Sequence, residues 1–313
     1  MIAYLCVAAH RFAGGALDHR GAPFDNARML RWIRAQQPSC RRLRPRDGRA
    51  LDRCLSPDPV GTVFLRSEAR LGALRDGRLL GVTGPGGDEI RAVALCGPMV
   101  VPWSPGLDDV PLLAAGLRPQ ARGIQLLVGP RDVTAAIHEA LRDVLPPPRL
   151  LRADQPIYTA DGTTLAAPPR GARPPVRRAE LADLDRLTAA SAAMHREEVG
   201  FDPMDVDPWG FRLRMRTLVE RGWAYVWTEG DTLVFKAECA AVTREAVQLQ
   251  GVWTDPARRG RGHGTAAIGT LAAQLLRDSA RVTLFVNDFN TRAIGVYERV
   301  GFRRGGTMRS YLY

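Results

Sequence analysis

Lysine is almost missing from this sequence. Lys236 is the single example, so the formal net charge of +11 is carried by arginine. That bias reflects a GC-rich genome as much as it reflects function. Cysteines in close pairs are missing too. Cys6, Cys40, Cys54, Cys96 and Cys239 are odd in number and far apart. This excludes the short spacings of zinc sites and redox motifs, so no metal is expected and the thiols are read as reduced. No apolar run approaches the roughly 20 residues that cross a bilayer. Residues 2–9 are apolar but have no basic residue ahead of them, unlike a secretory leader. The expected location is therefore cytoplasmic, without a membrane partner. Nor are the charges blocked into a tail. Scattered arginines favour small polyanionic ligands over nucleic acid, although tRNA stays open.

What is present suits a soluble globular chain. Its 313 residues are 45% apolar and 25% charged, enough for two domains of ordinary size. Residues 1–40 show no sustained period and read as a poorly defined extension, with one short amphipathic helix over 27–34. Residues 41–160 form a first domain. Its pattern predicts a helix at 47–55 and a strand at 63–65. A hairpin is expected around the Asp76-Gly77 step, flanked by 73–74 and 79–82. Strands at 92–95 and 99–101, a buried run at 124–128 and a helix at 132–145 follow, the helix stopped by Pro146, Pro147 and Pro148. Residues 155–158 read as the last strand. The Gly-, Pro-, Ala- and Thr-rich stretch 161–175 reads as a linker.

The second domain spans 176–313. Helices are expected at 183–196, 208–221, 264–277 and 291–300. Strands are expected at 223–228, 232–242, 246–254 and 282–286, with a strand pair over 302–313. This order makes a mixed sheet with helices packed on it.

Two segments carry chemistry. Residues 250–264 place a strand, a Pro-containing turn, a glycine-rich loop and a helix in sequence. Gly260, Gly262 and Gly264 permit a tight turn and leave main-chain N–H groups uncovered. The helix start adds unpaired donors and a partial positive charge. Together with Arg259, Arg261, His263 and Thr265 they form a cradle for a pyrophosphate. Residues 287–302 then offer Asn290 as a helix cap, Gly301 as a helix terminator and Tyr297 between them.

This pair of segments resembles the Gcn5-related N-acetyltransferase (GNAT) family. The family's Arg/Gln-x-x-Gly-x-Gly/Ala loop matches Arg259, Gly262 and Gly264. Its Asn-x-x-Ala-x-x-x-Tyr-x-x-x-Gly-Phe pattern matches Asn290, Ala293, Tyr297, Gly301 and Phe302. The resemblance covers 176–313. The whole chain is similar to actinobacterial proteins in which a degenerate GNAT-like half precedes the active one; residues 194–200 and 235–238 carry that likeness. The implied fold is α/β (α+β): tandem GNAT-like domains, each a mixed, mostly antiparallel sheet flanked by helices. The first half has no such loop between Val101 and Ile124, so a second coenzyme A is not expected there.

The resemblance implies acetyl transfer from acetyl-CoA, as co-substrate, to an amine of a small molecule or peptide, by a monomer or homodimer. The carbonyl oxygen would meet a main-chain N–H near Val252, Trp253 and Thr254. Tyr297 would protonate the leaving thiolate, or else is a packing tyrosine. Gln248 and Gln250 stand on the strand where many relatives carry a basic glutamate. Glu238 on the next strand is either a base acting through water or a structural partner of Lys236 or an arginine. Glu197 and Glu198 are acceptor-site residues or a solvated helix end. Three alternatives stay open: another acyl donor such as aminoacyl-tRNA, a mycothiol-synthase-like enzyme, and a non-catalytic coenzyme A binder.

Overall fold

The structure, a computed structural model, describes residues 37–166 and 174–313. The helix expected at 27–34 lies outside them. Twelve strands among the described residues form one sheet, ordered β1-β2-β3-β4-β5-β12-β6-β11-β10-β9-β8-β7. In chain order the first half gives β1 (Ser39–Arg42), α1 (Gly48–Leu55), α2 (Val63–Glu68), β2 (Leu79–Thr83), β3 (Ile90–Leu95), β4 (Met99–Trp103), α3 (Val110–Leu117), β5 (Leu126–Pro130), α4 (Arg131–Leu141) and β6 (Leu150–Ala160). The second half gives β7 (Arg177–Arg178), α5 (Leu184–Val199), α6 (Pro203–Val206), α7 (Pro208–Glu220), β8 (Ala224–Glu229), β9 (Thr232–Val242), β10 (Val247–Thr254), α8 (His263–Leu275), β11 (Val282–Phe285), α9 (Thr291–Val300) and β12 (Arg303–Leu312).

The second half thus repeats the first, with one extra short helix. The repeat extends to side chains. Arg41 forks onto Asp47 with both bonds at 2.8 Å, and Arg177 forks onto Asp183 at 2.6 and 3.0 Å. Each aspartate also accepts a main-chain N–H, from Arg44 or Glu180, and so caps the turn leading into α1 or α5. The Arg41 guanidinium holds the Asp47 carboxyl down to about 2.

Among the described residues two strand pairs are parallel, β4 with β5 and β10 with β11, one in each half. The halves are interlocked by exchange of their last strands. β6 of the first half pairs with β11 of the second, and β12 returns to pair with β5. β6 and β12 pair with each other at the centre. Helices cover both faces. Apolar side chains of α8 and α9 pack on one face of the second half, and those of α5 and α7 on the other. Each fully buried Leu, Phe or Ile contributes roughly 1.5–3 kcal/mol.

Three local expectations are corrected. Residues 63–65 begin α2, because a short apolar run cannot declare its period. Its Ser67 hydroxyl sits 3.2 Å from Val242 N on β9, docking the helix on the other half. No hairpin forms at Asp76-Gly77. A helical turn (Ala69–Ala73) precedes it, and Arg78 N bonds Ala73 O at 2.9 Å, so the step joins a helix to β2. The last strand pair is one bulged strand, β12, whose register on β6 slips between Arg304 and Thr307.

The exchange predicts that residues 176–313 expressed alone, lacking β6, lose cooperative melting by circular dichroism. Co-expressing residues 37–166 should restore it. A sharp melt of the lone fragment would contradict this.

Candidate active site

The site begins where β10 leaves its neighbours. Its parallel pairing with β11 covers only Val247↔Val282 and Gln248↔Thr283, and then the two strands part. On its other side the register with β9 breaks between Gln250 and Trp253. Gly251 lies in that break with φ of 59°, in the left-handed region. A Cβ there would lie 3.0 Å from the Glu238 carboxyl carbon, so backbone and carboxylate are in close contact.

Glu238 is bound on every side. Lys236 Nζ donates to its Oε1 at 2.7 Å and the Ser191 hydroxyl lies 3.2 Å from the same oxygen. Gln250 Nε2 donates to Oε2 at 3.3 Å. Lys236 is fully buried and Glu238 nearly so. Burial is the largest single influence and pushes the carboxyl up, but the Lys236 charge and hydrogen bond, the Arg214 charge and the Ser191 hydroxyl together leave Glu238 below the usual carboxylate range. Of the two sequence readings of Glu238, the geometry is that of a partner to Lys236. Its carboxylate nevertheless faces a cavity.

Two cavities meet at Tyr297. The first, of about 290 Å³, is lined by Glu238, Ser191, Gln248, Gln250, Arg152 and Arg214, among others. The second, of about 440 Å³, runs past Val252, Trp253 and Thr254 to Arg259 and Gly264 at the start of α8. Tyr297, Val252, Glu198, Asn287 and Asn290 line both. Tyr297 is 6% exposed, and no described residue hydrogen-bonds its hydroxyl. Burial, then the Glu198 charge, push that phenol well above its usual value, so it stays protonated at neutral pH.

The loop has the expected form. Asp255 caps the turn Pro256–Arg258 through Ala257 N at 3.0 Å. Gly260 and Gly262 have φ of 78° and 82°. Within α8 the first helical bond is Ala266 N to Gly262 O at 3.0 Å. The main-chain N–H groups of residues 260–265, Arg261 and Thr265 included, have no partner among the described residues. The His263 ring pins the loop, with Nδ1 3.1 Å from Arg258 O and its face tilted over Trp227 at 5.2 Å. Asn290 Oδ1 accepts from Ala293 N at 3.2 Å and caps α9, while Gly301 closes it in the left-handed conformation.

Glu197 is exposed near the end of α5. It faces the loop cavity, not the Glu238 cavity, and accepts Arg259 Nη2 at 2.9 and 3.1 Å. Arg259 also donates from Nε to Thr254 O at 3.0 Å. Sequence reading missed Arg152, Gln155 and Asn287. Gln155 donates to Asn287 Oδ1 at 3.0 Å and accepts from Ser310 at 2.6 Å. Arg152 Nη2 holds the Glu198 carbonyl at 3.1 Å. Both reach the site on β6, from the first half, and no local motif marks that crossing. Among the described residues no cluster of His, Cys, Asp or Glu is suited to a metal, and no helix is long and apolar enough to cross a membrane.

A mixed sheet with a splayed parallel pair and an open amide cradle defines an acetyltransferase-type fold. The profile of the acetyltransferase (GNAT) family matches residues 188–302. Residues 77–187 match a domain of unknown function (DUF4081). The fold is similar to that of a GCN5-related N-acetyltransferase from Sphaerobacter thermophilus, with 16% identity and a TM-score of 0.53, covering 88% of this chain and 94% of that one. A GNAT-family acetyltransferase from Colwellia psychrerythraea gives 13% identity and 0.50, over 84% and 97%. A Drosophila protein gives 14% and 0.54, over 85% and 88%. No curated protein matches the chain.

The buried pair can be tested by denaturation. Lys236→Met strands a buried carboxylate and should cost about 3–5 kcal/mol in urea unfolding. Adding Glu238→Leu should recover at least half of that loss. A single-variant cost below about 1 kcal/mol would show that the pair is not fully desolvated.

Proposed function

We propose that the chain is an acetyl-CoA-dependent N-acetyltransferase acting on an amine. The observation that carries this reading is the run of unpartnered amides at residues 260–265, opening onto a cavity that meets a second one at a free tyrosine hydroxyl. The match of residues 188–302 to the GNAT family model supports it. The amides and the α8 N-terminus offer a doubly charged pyrophosphate several N–H donors and a partial positive charge. Arg259 lines the loop cavity and adds charge there. The cavity along Val252, Trp253 and Thr254 would take the pantetheine arm, and the Val252 N–H is the candidate donor to the thioester oxygen. Bound acetyl-CoA supplies the electrophilic thioester; the protein positions the amine and moves the protons.

Glu238 is held ionised and so presents fixed negative charge that draws an ammonium into the first cavity. Its depressed proton affinity and three bonds suit it to that task better than to proton uptake. Glu198 lines both cavities, close enough to Tyr297 for its charge to raise the phenol, and is the candidate base by position. Tyr297 then donates its proton to the leaving sulfur.

Acetyl transfer to a panel of amines tests this. Tyr297→Phe should lower kcat about 10²-fold while the acetyl-CoA Kd stays within about twofold. An unchanged kcat would remove Tyr297 as the acid. Glu198→Gln should lower kcat/KM at neutral pH by about 10²-fold. That deficit should shrink as rising pH supplies free amine, whereas a pH-independent deficit would assign Glu198 a purely structural role.

A further inference from the structure

The amine cavity has an extension that the proposed reaction does not use. A groove of about 240 Å³ runs along the sheet from β10 and β11 towards β4 and β5. Gln155, Gln248, Gln250 and Phe285 line both the groove and the amine cavity, so the two are continuous. Beyond those glutamines the walls are apolar: Met99, Leu126 and Ile157 from the sheet, and Val60 and Phe64 from the segment around α2. All five are half-buried, so their side chains are only partly covered by protein. Arg152, at the rim shared with the amine cavity, is the single charged residue lining the groove.

The arrangement is ordered by polarity. Glu238 and Glu198 sit at one end, beside Tyr297. The side-chain amides of Gln248 and Gln250 stand in the middle, and Gln248 makes no side-chain hydrogen bond with a described residue. The apolar walls close the far end. Exchange of β6 and β12 makes this possible, because it joins the two half-sheets into one surface along which the groove passes.

The geometry points to an acceptor that is an amine carrying an apolar chain or ring, with its nitrogen beside Glu238 and Tyr297 and its apolar part in this groove. The inference rests on the N-acetyltransferase reading and names its substrate class. It also gives the first half of the chain a task, since Val60, Phe64, Met99 and Leu126 belong to it. Charge at one end only fits a monoamine with an apolar tail. A second ionised group on the tail would lie against Met99 and Leu126, desolvated and without a partner.

The experiment uses the full chain and two ligand series: linear primary amines from ethylamine to octylamine, and ω-amino acids of equal lengths. Calorimetric binding in the presence of coenzyme A and acetyl transfer are both measured. Affinity and kcat/KM should rise about fourfold per added methylene in the first series until the groove is filled. The ω-amino acids should show no such rise. Val60→Trp should abolish the rise while leaving ethylamine unchanged, and Phe64→Ala should move the preferred length upward. Transfer without dependence on chain length would overturn the groove and leave the acetyltransferase reading intact. Binding that climbs with chain length but yields no acetylated product would overturn that reading and keep the groove. A dependence that emerges only after deleting residues 1–36 would assign the groove to the protein's own segment and overturn the proposal.

Discussion

The site depends on one contact, that of the buried Lys236–Glu238 pair with the backbone of Gly251. A parallel pair of strands normally continues until one of them ends. Here β10 parts from β11 after two residue pairs, and its register on β9 breaks at the same level. The Glu238 carboxylate occupies the space where a side chain at 251 would lie. Charge, strand break and glycine therefore support one another. The ammonium keeps the carboxylate ionised, the carboxylate fills the break, and the absent side chain lets it do so. Everything used in the proposed chemistry lies within the opening this creates, from Tyr297 at the junction of the cavities to the amides before α8.

The interlocked sheet explains why a first half without a glycine-rich loop is retained as part of the same fold. Its β6 is the neighbour of β11, so it forms one wall of the opening and delivers Arg152 and Gln155 to it. α2 docks against β9 through Ser67, and Arg66 reaches Glu245 of the second half at 3.0 Å. The two halves share an internal repeat in their turns, their parallel pairs and their Arg–Asp forks. Only the second half combines a splayed pair with exposed amides at a helix start. In the proposed reading the repeat divides the work: one copy offers the unpartnered amides of residues 260–265, and the other supplies sheet and walls.

Much of the second half is legible in the sequence because its signals are local. Asn290, Gly301 and the 3.6-residue spacing between them bound α9 to the residue. Gly260 and Gly262 announce left-handed turns, and the apolar face of Ile268, Leu271 and Leu275 announces α8. The first half is less legible where short apolar runs carry no period, as at Val63–Glu68, and where a turn residue serves a helix end, as Gly77 does. Pairings remote in sequence leave no local trace. Nothing around Gln155 says that its strand lies beside β11, and nothing around Glu197 says that Arg259 will meet it. Lys236 and Glu238 stand two apart on β9, and the first donates to the second at 2.7 Å.

The account stands or falls on where an acyl-CoA sits. A crystal structure of the full chain with acetyl-CoA is the direct measurement. The account predicts pyrophosphate oxygens within about 3 Å of several main-chain nitrogens of residues 260–265, with the thioester between Val252 and Tyr297. A cofactor seated elsewhere, or amides at 260–265 bonded to protein atoms with the cleft closed, would contradict it.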